Sequence, residues 1–154
     1  MDREFYMKEA LLLAEEALKD GDVPVGCVIT DSMGRIIGRG RNRREAGKDA
    51  TAHAEVEAIR EACEAVGDWR LDSCTLYVTL EPCPMCAGAI INSRIHTVVF
   101  GTRDSVSGAC GSVIDIFSER FGHSPAVFPG IMESNCSKLL KEFFIGLRER
   151  LASF

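Results

Sequence analysis

Two short runs constrain this chain more than anything else in it: Thr51-Ala52-His53-Ala54-Glu55 and Glu81-Pro82-Cys83-Pro84-Met85-Cys86. Together they read His-x-Glu, then 26 residues, then Pro-Cys-x-x-Cys. Cys83 and Cys86 are three apart, so on a helix they share one face. Pro84 suits the first turn of that helix, where its missing N–H costs nothing. The positive end of the helix favours thiolate, the form of cysteine that binds metal. A lone Cys-x-x-Cys also fits a redox pair, and a lone His53 also fits a solvated helix start. Their co-occurrence favours a metal. One imidazole and two thiolates suit zinc, and three protein ligands leave a fourth position open for chemistry.

Glu55 adds a geometric condition. Residues i and i+2 face different ways on a regular helix. His53 and Glu55 reach one site only if the chain is still turning into its helix at His53. Glu55 is then a proton carrier beside the metal and not a ligand. The alternative is a surface glutamate stabilised by the helix dipole.

The rest of the composition bounds the class. At 154 residues the chain is long enough for a single domain, residues 1–154, with a sizeable core. No apolar run approaches the roughly 18 residues of a membrane span. The start, Met1-Asp2-Arg3-Glu4, carries both charge signs and leads into an amphipathic helix, which predicts a cytoplasmic protein. Seven cysteines with only one close pair fit reduced thiols and a metal site better than a disulfide framework. The net charge of −5 advertises no basic face for nucleic acid, although local patches matter more than the sum.

Apolar spacing predicts a helix over 3–19, a strand over 25–30, a turn over 31–34 and a strand over 35–40. A basic loop, 41–50, precedes a helix over 52–66. A strand over 75–80, a helix over about 83–93 and a strand over 97–101 follow. Then come a Ser/Gly-rich loop, a short helix near 113–120, a short strand at 126–128 and a last helix over about 133–151. Strand and helix alternate after the opening hairpin, which predicts a three-layer α/β domain with a mixed sheet.

The ligand pattern is the signature of the zinc-dependent nucleobase deaminases. Further runs extend the likeness, among them Gly21-Asp22-Val23-Pro24-Val25-Gly26, Trp69-Arg70-Leu71, Leu76-Tyr77-Val78-Thr79-Leu80 and Gly108-Ala109-Cys110-Gly111-Ser112. On these the chain resembles the bacterial tRNA-specific adenosine deaminases, a branch of the cytidine/deoxycytidylate deaminase superfamily. The resemblance covers nearly the whole sequence. It implies a three-layer α/β/α cytidine-deaminase-like fold around a five-stranded mixed sheet, and a homodimer with one zinc per subunit. It also implies a reaction: adenosine becomes inosine at the wobble position of a tRNA anticodon stem-loop. In that reaction His53, Cys83 and Cys86 hold zinc and Glu55 shuttles protons. Asn42 and the backbone at Ala54 hold the nucleoside, and Asp104 and Phe144 lie near the anticodon.

The chain departs from the usual family pattern at Asp49-Ala50-Thr51, which lacks a proline, and at Phe121-Gly122-His123-Ser124-Pro125, where Gly122 and Ser124 replace an amide and a cation. Fewer cations mean weaker, less salt-dependent nucleic-acid binding. Three readings follow: a tRNA adenosine deaminase, a deaminase of a free base or nucleoside (guanine, adenine or cytosine), and a non-catalytic protein with structural zinc. Glu55 argues against the third. Arg41, Arg43, Arg44, Arg70, Arg94, Arg103 and Arg148 are the cations available for a substrate rim.

Overall fold

The computed structural model describes residues 2–153. Helix α1 (Arg3–Lys19) opens on Asp2, whose carboxylate accepts the Phe5 N–H at 3.1 Å. The strands are β1 (Gly26–Thr30), β2 (Ile36–Arg41), β3 (Thr75–Leu80), β4 (Thr97–Thr102) and β5 (Ala126–Phe128). The remaining helices are α2 (Ala54–Val66), α3 (Pro84–Asn92) and α4 (Glu133–Ala152). The strands form one mixed sheet in the order β2-β1-β3-β4-β5. β1 is antiparallel to both β2 and β3, and β3-β4-β5 are parallel. This is the five-stranded, helix-covered sheet that the resemblance implies.

Side-chain alternation along the strands sorts the core into two halves. Cys27, Ile29, Leu76, Val78, Val98 and Phe100 point to the face covered by α2 and α3. Val28, Tyr77 and Val99 point to the opposite face, where they meet Tyr6, Met7 and Ala10 of α1 and Cys136 of α4. All five β1 residues are buried, which explains the near-continuous apolar run there.

A close helix–sheet approach sits beneath the ligand run. Gly38 and Gly40 of β2 lie against α2, and a Cβ on either would overlap the carbonyl oxygen of Ala58 or Ala54, respectively. Their missing side chains let α2 lie low on the sheet, which sets the height of its N-terminus.

One expected element is absent among the described residues. The chain near 113–120 is not a helix but a loop with a single 3-10 turn, Ile116–Ser118, and an isolated bridge between Cys110 and Asp115. The Ile116 N–H is drawn to the Ala109 carbonyl and the Ile114 carbonyl to the Gly111 N–H, both at 2.9 Å. A helix would need those groups elsewhere.

Candidate metal centre and substrate pocket

His53 and Cys83 are the N-caps of α2 and α3, both in extended conformation, and neither side chain caps its own helix. The His53 ring and the Cys83 sulfur are therefore free to face each other. The turn that delivers His53 is fixed locally. Asp49 accepts the Thr51 N–H at 2.8 Å and hydroxyl at 2.7 Å, and the Ala52 carbonyl accepts the Arg43 N–H at 2.9 Å. α2 thus begins at Ala54, one residue past the histidine. That is the condition the His-x-Glu spacing imposes. On the other side β3 ends at Leu80 and Pro84 opens α3, with Cys86 buried in its first turn.

The donor atoms of His53, Cys83 and Cys86 all lie within 4.8 Å of one another. His53 Nδ1 is 3.6 Å from each of the two sulfurs. For a tetrahedral zinc with metal–nitrogen and metal–sulfur bonds of about 2.0 and 2.3 Å, nitrogen and sulfur ligands stand about 3.5 Å apart. The three residues fit zinc in chemistry and in spacing. Their protons are already unevenly held. A hydrogen bond from Cys86 pulls the Cys83 thiol down to about 4, and the same contact pushes the Cys86 thiol well up. The hydrogen bond to Cys83 raises the His53 imidazole above its usual value.

Glu55 is 4% exposed and lines the same pocket as His53 and Cys83. Burial pushes its carboxyl up to about 7, and a dication held by the triad would pull that value back down. The pocket holds about 160 Å³ of interior space. Asn42, Arg44, Ala54, Asp104 and Ser107 complete its polar and backbone wall, with Val23, Val25 and Leu80 as the apolar part.

Seven of the eight residues singled out from the sequence therefore meet at this pocket or directly behind it. Two of them already have tasks there. Asn42 donates from its amide to the Val23 carbonyl at 3.2 Å and accepts the Arg44 N–H at 3.1 Å, which leaves one N–H and one lone pair for a ligand. Asp104 accepts the Val106 N–H at 3.0 Å, the Ser107 N–H at 3.1 Å and the Ser107 hydroxyl at 2.8 Å, so its carboxylate shapes its own loop.

Phe144 is the eighth, and it does not line the metal pocket. It is 47% exposed on α4, between two grooves. One groove runs past Arg103, Lys141 and Arg148, the other past Arg44 and Arg150.

The arginine rim divides. Arg41 is paired with Glu16 at 3.2 Å and Asp20 at 3.3 Å, and Arg70 with Asp68 at 3.3 Å. Arg70 and Arg94 also stack over Trp69, at 4.6 and 5.7 Å from the ring centre. Arg44, Arg103 and Arg148 make no ion pair among the described residues. His123 donates from Nε2 to the Ile95 carbonyl at 2.7 Å and Ser124 donates to the Phe117 carbonyl at 2.8 Å, so the departing segment is tied back to the fold.

Sequence reasoning assigns no task to Glu81. Here it is 2% exposed and reaches the pocket wall. The only hint was a glutamate directly after an apolar strand, too common a pattern to single out.

Residues 1–102 match the family model described as the cytidine and deoxycytidylate deaminase zinc-binding region. The chain is 47% identical over 148 residues to the tRNA-specific adenosine deaminase of Bacillus subtilis (strain 168), covering 96% of this chain and 91% of that one. A solved structure from a study of A-to-I editing by tRNA:A34 deaminases superposes with a TM-score of 0.85 at 43% identity, covering 88% of this chain and 99% of that one. The crystal structure of guanine deaminase from Bacillus subtilis gives a TM-score of 0.65 at 41% identity, over 77% of this chain and 74% of that one. With its ligand triad, its sheet order and these likenesses in agreement, the chain belongs to the cytidine and deoxycytidylate deaminase family, in the branch of the tRNA-specific adenosine deaminases.

Proposed function

We propose that this protein hydrolytically deaminates adenosine to inosine at the wobble position, 34, of a tRNA anticodon stem-loop. The observation that carries the choice of substrate is the surface around the pocket. An exposed aromatic, Phe144, stands between grooves bearing Arg44, Arg103, Lys141, Arg148 and Arg150, and the groove past Arg44 and Arg150 shares Val23 and Arg44 with the metal pocket. Exposed rings beside free cations suit unstacked bases and their phosphates. A pocket of about 160 Å³ suits a single flipped-out base, not a stem.

His53, Cys83 and Cys86 hold one zinc per subunit, which supplies a Lewis acid that makes water nucleophilic near neutral pH. Glu55 takes the proton from the attacking water and delivers it to the ring nitrogen beside C6. It then takes the remaining proton from the new hydroxyl on C6 and gives it to the departing amine, which leaves the C6 carbonyl of inosine. The C6–O bond forms, the C6–N bond breaks and ammonia leaves. One carboxyl can do both jobs because it is buried beside the reacting atoms and shielded from bulk water. The free N–H and lone pair of Asn42 and the backbone at Ala54 hold the nucleoside, and Asp104 meets the strand beside it.

Exposed Phe121 lines a shallow groove with Ile91 of α3 and Ile116 of the 3-10 turn, and Met85 of α3 is also exposed, which supports a homodimer through this face. No helix of the described residues is long and apolar enough to cross a membrane. A cytoplasmic location accords with a tRNA substrate.

The test is one incubation series. Zinc-loaded protein is offered an adenosine-34 anticodon hairpin and, separately, adenosine, adenine, guanine and cytosine. Inosine in the hairpin with no ammonia from the small molecules is expected. Rapid ammonia release from free guanine or another base overturns the reading.

A further inference from the structure

Glu81 is a buried acid without a cation. It is 2% exposed, and the ion pairs of the described residues involve other carboxylates. Its oxygens are filled instead from one loop. Oε1 accepts the Asp104 N–H at 3.1 Å and the Ser112 hydroxyl; Oε2 accepts the Cys110 N–H at 3.0 Å and the Ser112 N–H at 3.1 Å. Three backbone donors and a hydroxyl, from positions 104, 110 and 112, thus converge on one side chain. A carboxylate suits that task because it only accepts, whereas a glutamine amide would turn donors toward donors.

The clamp joins two parts of the site. Glu81 lies two residues before the ligand Cys83, and the same loop also closes on that turn through the Ala109 N–H to the Pro82 carbonyl at 2.9 Å. Asp104 and Ser107, the two residues this loop lends to the pocket wall, stand inside the clamped span. Gly108 shows how closely the parts meet. A Cβ there would lie 2.5 Å from Glu81 Cδ and Oε2 and 2.5 Å from the Asp104 carbonyl oxygen.

We propose that Glu81 is a positioning residue for substrate binding: its carboxylate fastens residues 104–112 to the turn that carries Cys83, and so sets where Asp104 and Ser107 stand at the pocket mouth. Glu81 acts through the loop and touches no reacting atom. The kinetic part of its test rests on the deaminase reading above; the amide-exchange part does not.

Glu81→Gln and Gly108→Ala attack the clamp from its two sides, and Ser112→Ala removes only the hydroxyl and serves if either of the others fails to fold. Zinc content, KM and kcat on the anticodon hairpin, and hydrogen exchange at the Asp104, Cys110 and Ser112 amides are measured for each. Expected are full zinc, a KM raised about tenfold with kcat within about twofold of wild type, and about tenfold faster exchange at those amides, with Ser112→Ala milder. A KM unchanged while exchange quickens overturns the proposal, because the clamp then serves stability alone. Zinc loss with kcat falling in proportion also overturns it, since Glu81 would then serve the metal turn. Unchanged exchange overturns it outright. A wild type that leaves the hairpin untouched defeats the functional reading instead, and amide exchange, which needs no substrate, still decides whether the clamp exists.

Discussion

His53 and Cys83 cap helices that lie on a buried sheet, while Arg44, Asp104 and Phe144 hang from two loops and an exposed helix face. The first group has its backbone set by regular structure. β3 leads straight into the Cys83 turn, and Gly40 lets α2 settle at the height that brings His53 to the same point. The second group is held by hydrogen bonds from side chains far away in sequence. Asp22 holds the 41–50 loop by accepting the Glu45 N–H at 2.7 Å and the Ala46 N–H at 3.1 Å. Glu81 holds the 104–112 loop. The floor of the pocket therefore stands on packing and its rim on buried carboxylates. Chemistry needs the floor to be rigid, whereas substrate choice varies with a few polar contacts at the rim.

The floor breaks hardest at its ligands. Cys86→Ala removes a fully buried sulfur ligand from the triad. Zinc is expected to be lost, turnover abolished and the melting temperature lowered, since metal binding is coupled to folding. Metal analysis and a thermal melt check this; a stable variant with full zinc would move the ligand set elsewhere. Glu55→Ala separates binding from chemistry. It should keep zinc and lose turnover by about 10²- to 10⁴-fold, the usual worth of general acid–base catalysis. Retained turnover refutes the assigned role.

Gly40→Ala tests the floor from beneath. A Cβ there overlaps the Ala54 carbonyl, on the first turn of α2, and Ala54 has no exposed surface to retreat into. Overpacking of this kind costs about 1–3 kcal/mol. Because the displaced turn carries His53 and Glu55, kcat should fall along with stability. Denaturant unfolding and a kcat measured well below the melting temperature distinguish this from a purely global loss.

Legibility in the sequence follows the same division. Strands β1, β3 and β4 are short runs buried along nearly their whole length and each ligand lies in a short run, so fold class, sheet content and triad could be read from local pattern. The His-x-Glu spacing even located the start of α2, because only a helix beginning beside His53 lets both side chains reach one site. The failures lie on the rim. Residues 113–120 looked helical from their own composition, yet the path before them is dictated by Glu81, 31 positions ahead of Ser112. Arg41 looked like a rim cation until α1 supplied Glu16 and Asp20. Contacts between distant segments leave no trace in spacing.

Arg41 and Arg44 give the finest test of this contrast, because they are three residues apart and differ only in what surrounds them. Arg41 is spent on two surface carboxylates, with 33% of its side chain exposed against 55% for Glu16 and 43% for Asp20. Such pairs contribute about 0–1 kcal/mol to stability, and less once solvent screening is counted. Arg44 has no acid partner among the described residues and borders both the metal pocket and the groove beside Phe144. If RNA runs along that groove, Arg44 meets a phosphate. Arg44→Ala should then raise KM for the hairpin and lower the slope of log KM against log salt by about one unit, the signature of one lost phosphate contact. Arg41→Ala should leave that slope alone and shift stability by no more than about 1 kcal/mol. Equal salt slopes for the two variants would place the RNA path away from the 41–50 loop, and a larger change for Arg41→Ala would mean its acidic partners release it when substrate binds.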